Sequence, residues 1–193
     1  LEARSGLSTK QEVLDKLAVI AAGLDNAPGR EWRPLIDTTN DPIISARRPK
    51  GWASNQRSED YYNEGLLIWT EADAIIREGT KGKRGMDDFA HAFFGVRDRD
   101  YGELTYNFDD IVATLNKVQP YDWRSYLQRK VYDVAANPPL EGITQGGYRL
   151  AFTDTPTKWW KSAEGHAKNS DLTYSGGFVV GGGARKTVVI TGI

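Results

Sequence analysis

The sequence predicts a mainly α-helical unit over residues 1–135, followed by a linker and a small β-rich segment over 136–193. Three observations carry this. Apolar residues recur at helical spacing in successive stretches as far as Val131. Pro138-Pro139 then interrupts the pattern. Beyond it, apolar residues alternate or cluster as β-branched runs among frequent glycines.

The elements follow in order. Ser8, with Gln11 three positions on, makes a capping-box start for a helix over about 9–24, whose apolar positions are Val13, Leu14, Leu17, Ala18, Ala21 and Leu24. Asn26, Pro28 and Gly29 end it. Residues 27–57 carry prolines and no sustained period, which predicts a long ordered loop, and a loop of that length in a compact domain usually has a function. A second helix is expected from about Glu59 to Glu78, with Tyr62, Leu66, Trp69, Ala72, Ile75 and Ile76 along one side and the turn Gly79-Thr80-Lys81-Gly82-Lys83 after it. Asp87 and Asp88 suit the positive end of a short third helix that buries Phe89, Ala92 and Phe93 and stops at Gly95. Asn107 caps a fourth, with Ile111, Val112, Leu115 and Val118 as its stripe and Pro120 as its stop; Asp122 caps a fifth through Trp123, Tyr126, Leu127 and Val131. Strands are expected at Tyr148 to Phe152, Gly177 to Val180 and from Lys186 onward, with Gly181-Gly182-Gly183 as a hairpin turn.

Composition narrows the function classes. With 26% charged and 39% hydrophobic residues over 193 positions, the chain can bury a core without staples. A net charge of -1 argues against nucleic acid and against a polybasic membrane anchor. No apolar run approaches the roughly 20 residues of a membrane span. The absence of cysteine excludes a disulfide framework, thiol catalysis and a cysteine zinc site, and suits a bacterial cytoplasm or periplasm equally. The opening Leu-Glu-Ala-Arg, with neither an initiator Met nor a signal pattern, reads as a trimmed fragment.

Few residues can carry chemistry. The two histidines, His91 and His166, lie far apart, and no H-E-x-x-H pair places imidazoles on one helical face to hold zinc. A surface role is expected for His91 in its short helix and for His166 in a polar loop. No G-x-S-x-G elbow and no phosphate-loop spacing is present. Trp159-Trp160 can stack a sugar or a base, or anchor two units by packing. The segment Tyr61 to Arg77, taken alone, is an amphipathic helix with a glycine where something approaches closely.

Tyr61-Tyr62-Asn63-Glu64-Gly65, then Asp73, Ile76-Arg77, the Gly-Thr-Lys-Gly-Lys turn and Met86-Asp87-Asp88-Phe89 resemble, in order, the recurring motifs of the glycyl aminopeptidase family of zinc metallopeptidases, in the thermolysin-like (gluzincin) clan. The opening Leu-Glu-Ala-Arg-Ser-Gly-Leu-Ser and the later Pro120-Tyr121-Asp122-Trp123 are similar to that family as well, so that the likeness spans about 1–155. The resemblance implies the helical C-terminal subdomain of a peptidase that releases small N-terminal residues, glycine or alanine, from peptides, and from about Tyr174 the start of a PDZ-like domain, cut short. It implies that the zinc belongs to the parent enzyme, on ligands that would precede Leu1, and that this fragment holds no metal and is inactive alone. Tyr62 maps to the tyrosine that donates a hydrogen bond to the oxyanion, with Tyr61 as the runner-up. Glu64 takes no role from the family, because relatives often carry lysine before the glycine; Asp73 and Arg77 are expected to be a structural ion pair. The alternative reading is a non-enzymatic helical adaptor or peptide-binding module. A truncated sheet would also leave an edge through which the chain could dimerise.

Overall fold

Two capping boxes compete for the first long helix, and the one with the carboxylate wins. A computed structural model of the chain describes residues 2–44, 52–182 and 188–192. In it α1 (Lys10–Asp25) starts from Thr9, not Ser8: Thr9 Oγ1 accepts from the Glu12 amide at 3.2 Å, and Glu12 Oε2 accepts from the Thr9 amide at 2.8 Å. A carboxylate is a stronger acceptor than the Gln11 amide and also suits the positive helix end. The hydrogen bonds from Thr9 hold the Glu12 carboxyl below its ordinary pKa.

The remaining long helices are α2 (Asn63–Gly79), α3 (Met86–Phe94), α4 (Phe108–Val118) and α5 (Trp123–Val131), followed by α6 (Glu141–Gln145) and α7 (Lys158–Ala167). The fold is therefore mainly α. Asn107 caps α4 by accepting from the amides of Asp109 and Asp110, and Asp122 caps α5 by accepting from Ser125, as their sequence positions predict. Among the described residues no helix is long and apolar enough to cross a membrane.

Helix α2 is the centre of the packing. Its Ile68, Ala72 and Ile76 join Phe89 of α3, Val112, Leu115 and Val118 of α4, Trp123, Tyr126 and Leu127 of α5, and Leu35 in the larger core. Its Leu67 meets Ile20, Ala21 and Leu24 of α1 and Ile143 of α6 in a smaller one. The buried face is thus rotated from the expected stripe: Tyr62 and Leu66 lie on the exposed side, whereas Glu64 and Glu71 are buried. The two glutamates go inward because each meets a buried or half-buried cation, Arg30 and Arg57 for the first and Lys130 for the second. The Trp123 indole donates to the Gln119 carbonyl and the Tyr126 hydroxyl to the Ile68 carbonyl, both at 2.8 Å.

Residues 27–44 are ordered by short turns rather than a long helix: a 3₁₀ turn at Pro28–Glu31, and single helical turns at Leu35–Thr38 and Asp41–Ile44, with another at Ala53–Gln56. Tyr148 to Phe152 form no strand and run irregularly between α6 and α7. His166 lies on α7, not in a loop, and α7 packs against α1 with Trp159 and Trp160 half-buried. The sheet is small and antiparallel, in the order β1 (Asn169–Leu172), β2 (Phe178–Gly182), β3 (Val188–Gly192), with Ser170 opposite Val180 and Val180 opposite Ile190. The expected strand pair is present as β2 and β3, but Gly181 and Gly182, expected in the turn, are paired within β2 opposite Val189 and Val188, and Gly183 and Lys186, like Leu1, lie outside the described residues. β1 is the added strand.

Candidate active site

The motif that singles out Tyr61 and Tyr62 sits at the start of α2. Helical hydrogen bonding begins slightly before Asn63, because the Glu64, Gly65 and Leu66 amides donate to the carbonyls of Asp60, Tyr61 and Tyr62 at 2.8, 3.2 and 3.2 Å. Tyr62 is therefore already helical, at φ -69° and ψ -55°, with no side-chain cap. Its ring is turned outward and 63% exposed. Tyr61 is half-buried against the larger core, and the two rings lie 4.5 Å apart between centroids.

Tyr61 thus rests on apolar core, whereas the inward side of the same turn, at Glu64, is charged. Glu64 is buried, and Arg30 grips it with both Nη atoms, at 3.3 Å to Oε1 and 2.8 Å to Oε2. The Arg57 guanidinium also bonds Glu64 Oε2, through Nη2. Its Nε donates to Asp60 Oδ2 at 2.8 Å and its Nη1 to the Arg33 carbonyl at 2.7 Å. Arg33 in turn donates to Asp41 Oδ1 at 2.8 Å and to Asp37 Oδ2 at 2.7 Å, and Asp41, fully buried, accepts from the Glu59 amide at 3.2 Å. Burial alone would lower the Arg33 pKa, but hydrogen bonds and charge from Asp41 and Asp37 outweigh it and raise it. A buried ion pair contributes little net stability when intact, yet losing one partner costs roughly 3–5 kcal/mol because the other charge is stranded. From the stretch expected as a loop over 27–57, Arg30 and Arg57 reach the start of α2 and bond Glu64.

Gly65, expected to admit a neighbouring helix or a substrate main chain, has, apart from its own helical turn, no atom of the described residues within 4 Å of where a Cβ would stand. Within this chain the close approach to α2 is made by Gly142 instead, whose Cβ would fall 2.5 Å from the Glu71 amide nitrogen. Asp73 and Arg77 pair at 2.6 Å, as expected, and Asp73 also accepts from the Met86 amide at 2.7 Å, tying α2 to α3.

One hollow borders the site and a second lies on the other side of α1, away from the tyrosines. The first, about 430 Å³, runs beside Asp60 and Asn63, between Ile20 and Leu24 of α1 and Trp159 of α7. The other, about 490 Å³, lies between α1 and the segment Leu150 to Trp160 and is mostly apolar. His91 and His166 are both exposed, the latter with Nδ1 2.8 Å from the Ser162 carbonyl. Among the described residues no three His, Cys, Asp or Glu side chains are grouped to hold a metal ion, so the zinc that the resemblance implies finds no ligand set among them. The buried carboxylates are already paired, Glu64 and Asp41 with arginines and Glu71 with Lys130.

The arrangement therefore offers an outward phenol on an ion-paired helix start, beside a helical position without a side chain. Sequence reading found the phenol and missed the ion pairs, although the spacing Arg30-Arg33 and Asp37-Asp41 was available as a signal of paired charge. No curated protein matches the chain. Residues 1–68, about a third of it, match the family model described as M61 glycyl aminopeptidase, a stretch that includes Tyr61, Tyr62, Glu64 and Gly65 but not the later motifs. The match supports that family over this stretch, and with it a peptidase-related function.

Proposed function

We propose that this chain supplies the oxyanion-donating tyrosine of an aminopeptidase that releases small N-terminal residues, glycine or alanine, from peptides. The observation that carries the reading is the coincidence of the family match with an exposed Tyr62 on the helical turn whose opposite side is held by the Arg30–Glu64–Arg57 ion pairs. When the scissile carbonyl is attacked, its oxygen gains a charge that the ground state lacks. A phenol held in place donates to that oxygen and lowers the barrier, whereas a mobile one would spend part of the gain on its own ordering. Tyr62 is assigned this part, with the half-buried Tyr61 as the runner-up for it. Gly65, without a side chain, leaves room for the substrate main chain on the turn above. The zinc is assigned to residues other than those described, and the segment from about Tyr174 to the start of a PDZ-like unit.

The test is Tyr62→Phe in the complete gene product, assayed on a glycyl anilide. Turnover should fall on the order of 10²- to 10³-fold, as it does when an oxyanion donor is removed. Turnover within a few-fold of the unaltered protein would remove Tyr62 from the chemistry.

A second reading, a non-enzymatic module that binds a peptide, draws on the apolar hollow lined by Ala18, Val19, Leu150, Phe152 and Trp160. It predicts that apolar peptides change tryptophan emission while Tyr62→Phe has no effect.

A further inference from the structure

One guanidinium bonds two carboxylates that bracket the tyrosines. Arg57 Nε holds Asp60 and Arg57 Nη2 holds Glu64, residues four apart and hence on one face of a helix. Tyr62 lies midway between them, and at about 100° per residue it is turned by about 200° from each. Drawing Asp60 and Glu64 inward therefore points Tyr62 outward, which is where the structure has it. We propose that Arg57 is the positioning residue for Tyr62: its two-point grip sets the rotation of the first turn of α2, and so the direction of the phenol.

Arg57 is itself fixed from several sides. It is buried, its Nη1 donates to the Arg33 carbonyl at 2.7 Å, and its own carbonyl accepts from Arg33 Nη1 at 3.3 Å. The backbone that carries it is left-handed at Arg57 (φ 54°) and again at Glu59 (φ 46°), conformations that side-chain-bearing residues seldom adopt. Such positions persist where surrounding contacts over-determine them, and they gather at sites where geometry matters. Here the contacts are identified: the Glu59 amide donates to the fully buried Asp41, the Ser58 amide to Asp60 Oδ1 at 3.2 Å, and the Tyr62 amide to the Glu59 carbonyl at 3.2 Å. The chain reverses sharply just before the tyrosines, and Arg57 closes the reversal onto the helix. A planar fork does this where a point charge does not, because Nε and Nη2 reach different carboxylates in one fixed plane; a lysine ammonium at the end of a flexible stem can bond carboxylates but does not fix their directions relative to one another.

The effect on turnover rests on the reading of Tyr62 as oxyanion donor; the effect on the direction of Tyr62 does not. The experiment separates them. 3-Fluorotyrosine is placed at position 62 and its fluorine resonance is recorded in the unaltered chain, in Arg57→Lys and in Asp60→Asn, with near-ultraviolet dichroism of the Trp123 core as the check on folding. The lysine variant, folded, should show a resonance shifted toward that of free fluorotyrosine and narrowed by faster motion. Asp60→Asn, which loosens only one arm of the grip, should move it part of the way. An unmoved resonance in either folded variant overturns the proposal; should Arg57→Lys fail to fold, Asp60→Asn alone decides it. In the complete gene product, Arg57→Lys should lower kcat on the order of 10-fold or more with KM nearly constant, and add nothing to Tyr62→Phe. If the resonance moves while Tyr62→Phe leaves turnover intact, the positioning stands and the oxyanion reading falls. If Tyr62→Phe abolishes turnover and Arg57→Lys moves neither signal nor rate, the positioning falls.

Discussion

Gly65 and Gly142 make opposite demands at the same helix. Gly142 lets α6 lie directly on the α2 backbone, and a methyl group there would sit 2.5 Å from the Glu71 nitrogen and 2.7 Å from its Cα. Backbone cannot step aside as a side chain can, so Gly142→Ala should cost about 1–3 kcal/mol of stability as the helices separate. Gly65 faces open space, so Gly65→Ala should gain about 0.5–1 kcal/mol through the unfolded chain's lost freedom. Urea unfolding of the two variants checks both signs at once; two destabilised variants would mean that Gly65 is packed as well. The contrast also marks what a sequence can disclose at this scale. Tyr62 was legible because its neighbours form a recurring motif, and the Asp73–Arg77 pair because its spacing is helical. Glu64 and Glu71 were not legible as core residues. Charged side chains are rarely buried unless paired, and the partners of Glu64, Arg30 and Arg57, come from a stretch without period.

Among elements, α4 was the easiest to place and should be the easiest to weaken. Its start is a reciprocal box in which Asn107 Oδ1 accepts from two amides, at 2.8 and 3.1 Å, while Asp110 Oδ2 accepts from the Asn107 amide at 2.9 Å. Asn107→Ala strands donors at the helix start, and the expected loss is about 1 kcal/mol. A lower urea midpoint with an unchanged slope would report that loss; an unchanged midpoint would show that water replaces the cap without cost. The same logic explains the shift from Ser8 to Thr9, where two overlapping boxes differ only in acceptor strength. Helix α7 escaped for a different reason: its ten residues include Lys158, Lys161, Glu164, Gly165 and His166, so the apolar period is too thin to register. β1 is Asn-Ser-Asp-Leu, a polar strand specified by its pairing with β2 and not by its own composition. Tyr148 to Phe152 show the converse, an alternating pattern that forms no strand.

For the molecule as a whole, the small sheet and the buried centre point to two measurable properties. Among the described residues nothing pairs with the outer edge of β3, and we propose that a second copy can do so; scattering that stays monomeric across the accessible concentration range would set this aside. The second property is an alkaline limit set at the join of α2, α5 and α6. Burial, with the charge of Glu71 nearby, pushes the Tyr126 hydroxyl well above its ordinary value of 10.0. Lys130 is bonded to Glu71 and Glu141 at 2.8 and 3.1 Å; burial would lower its pKa, but these carboxylates outweigh it and raise it above 10.5. Both groups are thus protonated more firmly in the folded state than in the unfolded one. For a raised pKa, the stabilising contribution is complete below the unfolded value and is lost as pH climbs toward the folded one. Stability should therefore hold through neutral pH and begin to fall near pH 10, where the unfolded chain starts to release protons that the fold retains. Tyr126→Phe separates the two contributions. At neutral pH it gives up one buried hydrogen bond to the Ile68 carbonyl, about 0.5–1.5 kcal/mol. Above pH 10 it has no phenol to ionise, so its urea midpoint should decline less steeply than that of the unaltered chain, and the two curves should converge. Parallel curves would mean that the alkaline loss arises elsewhere than at Tyr126, and the contribution of Lys130 would then be isolated by Glu71→Gln.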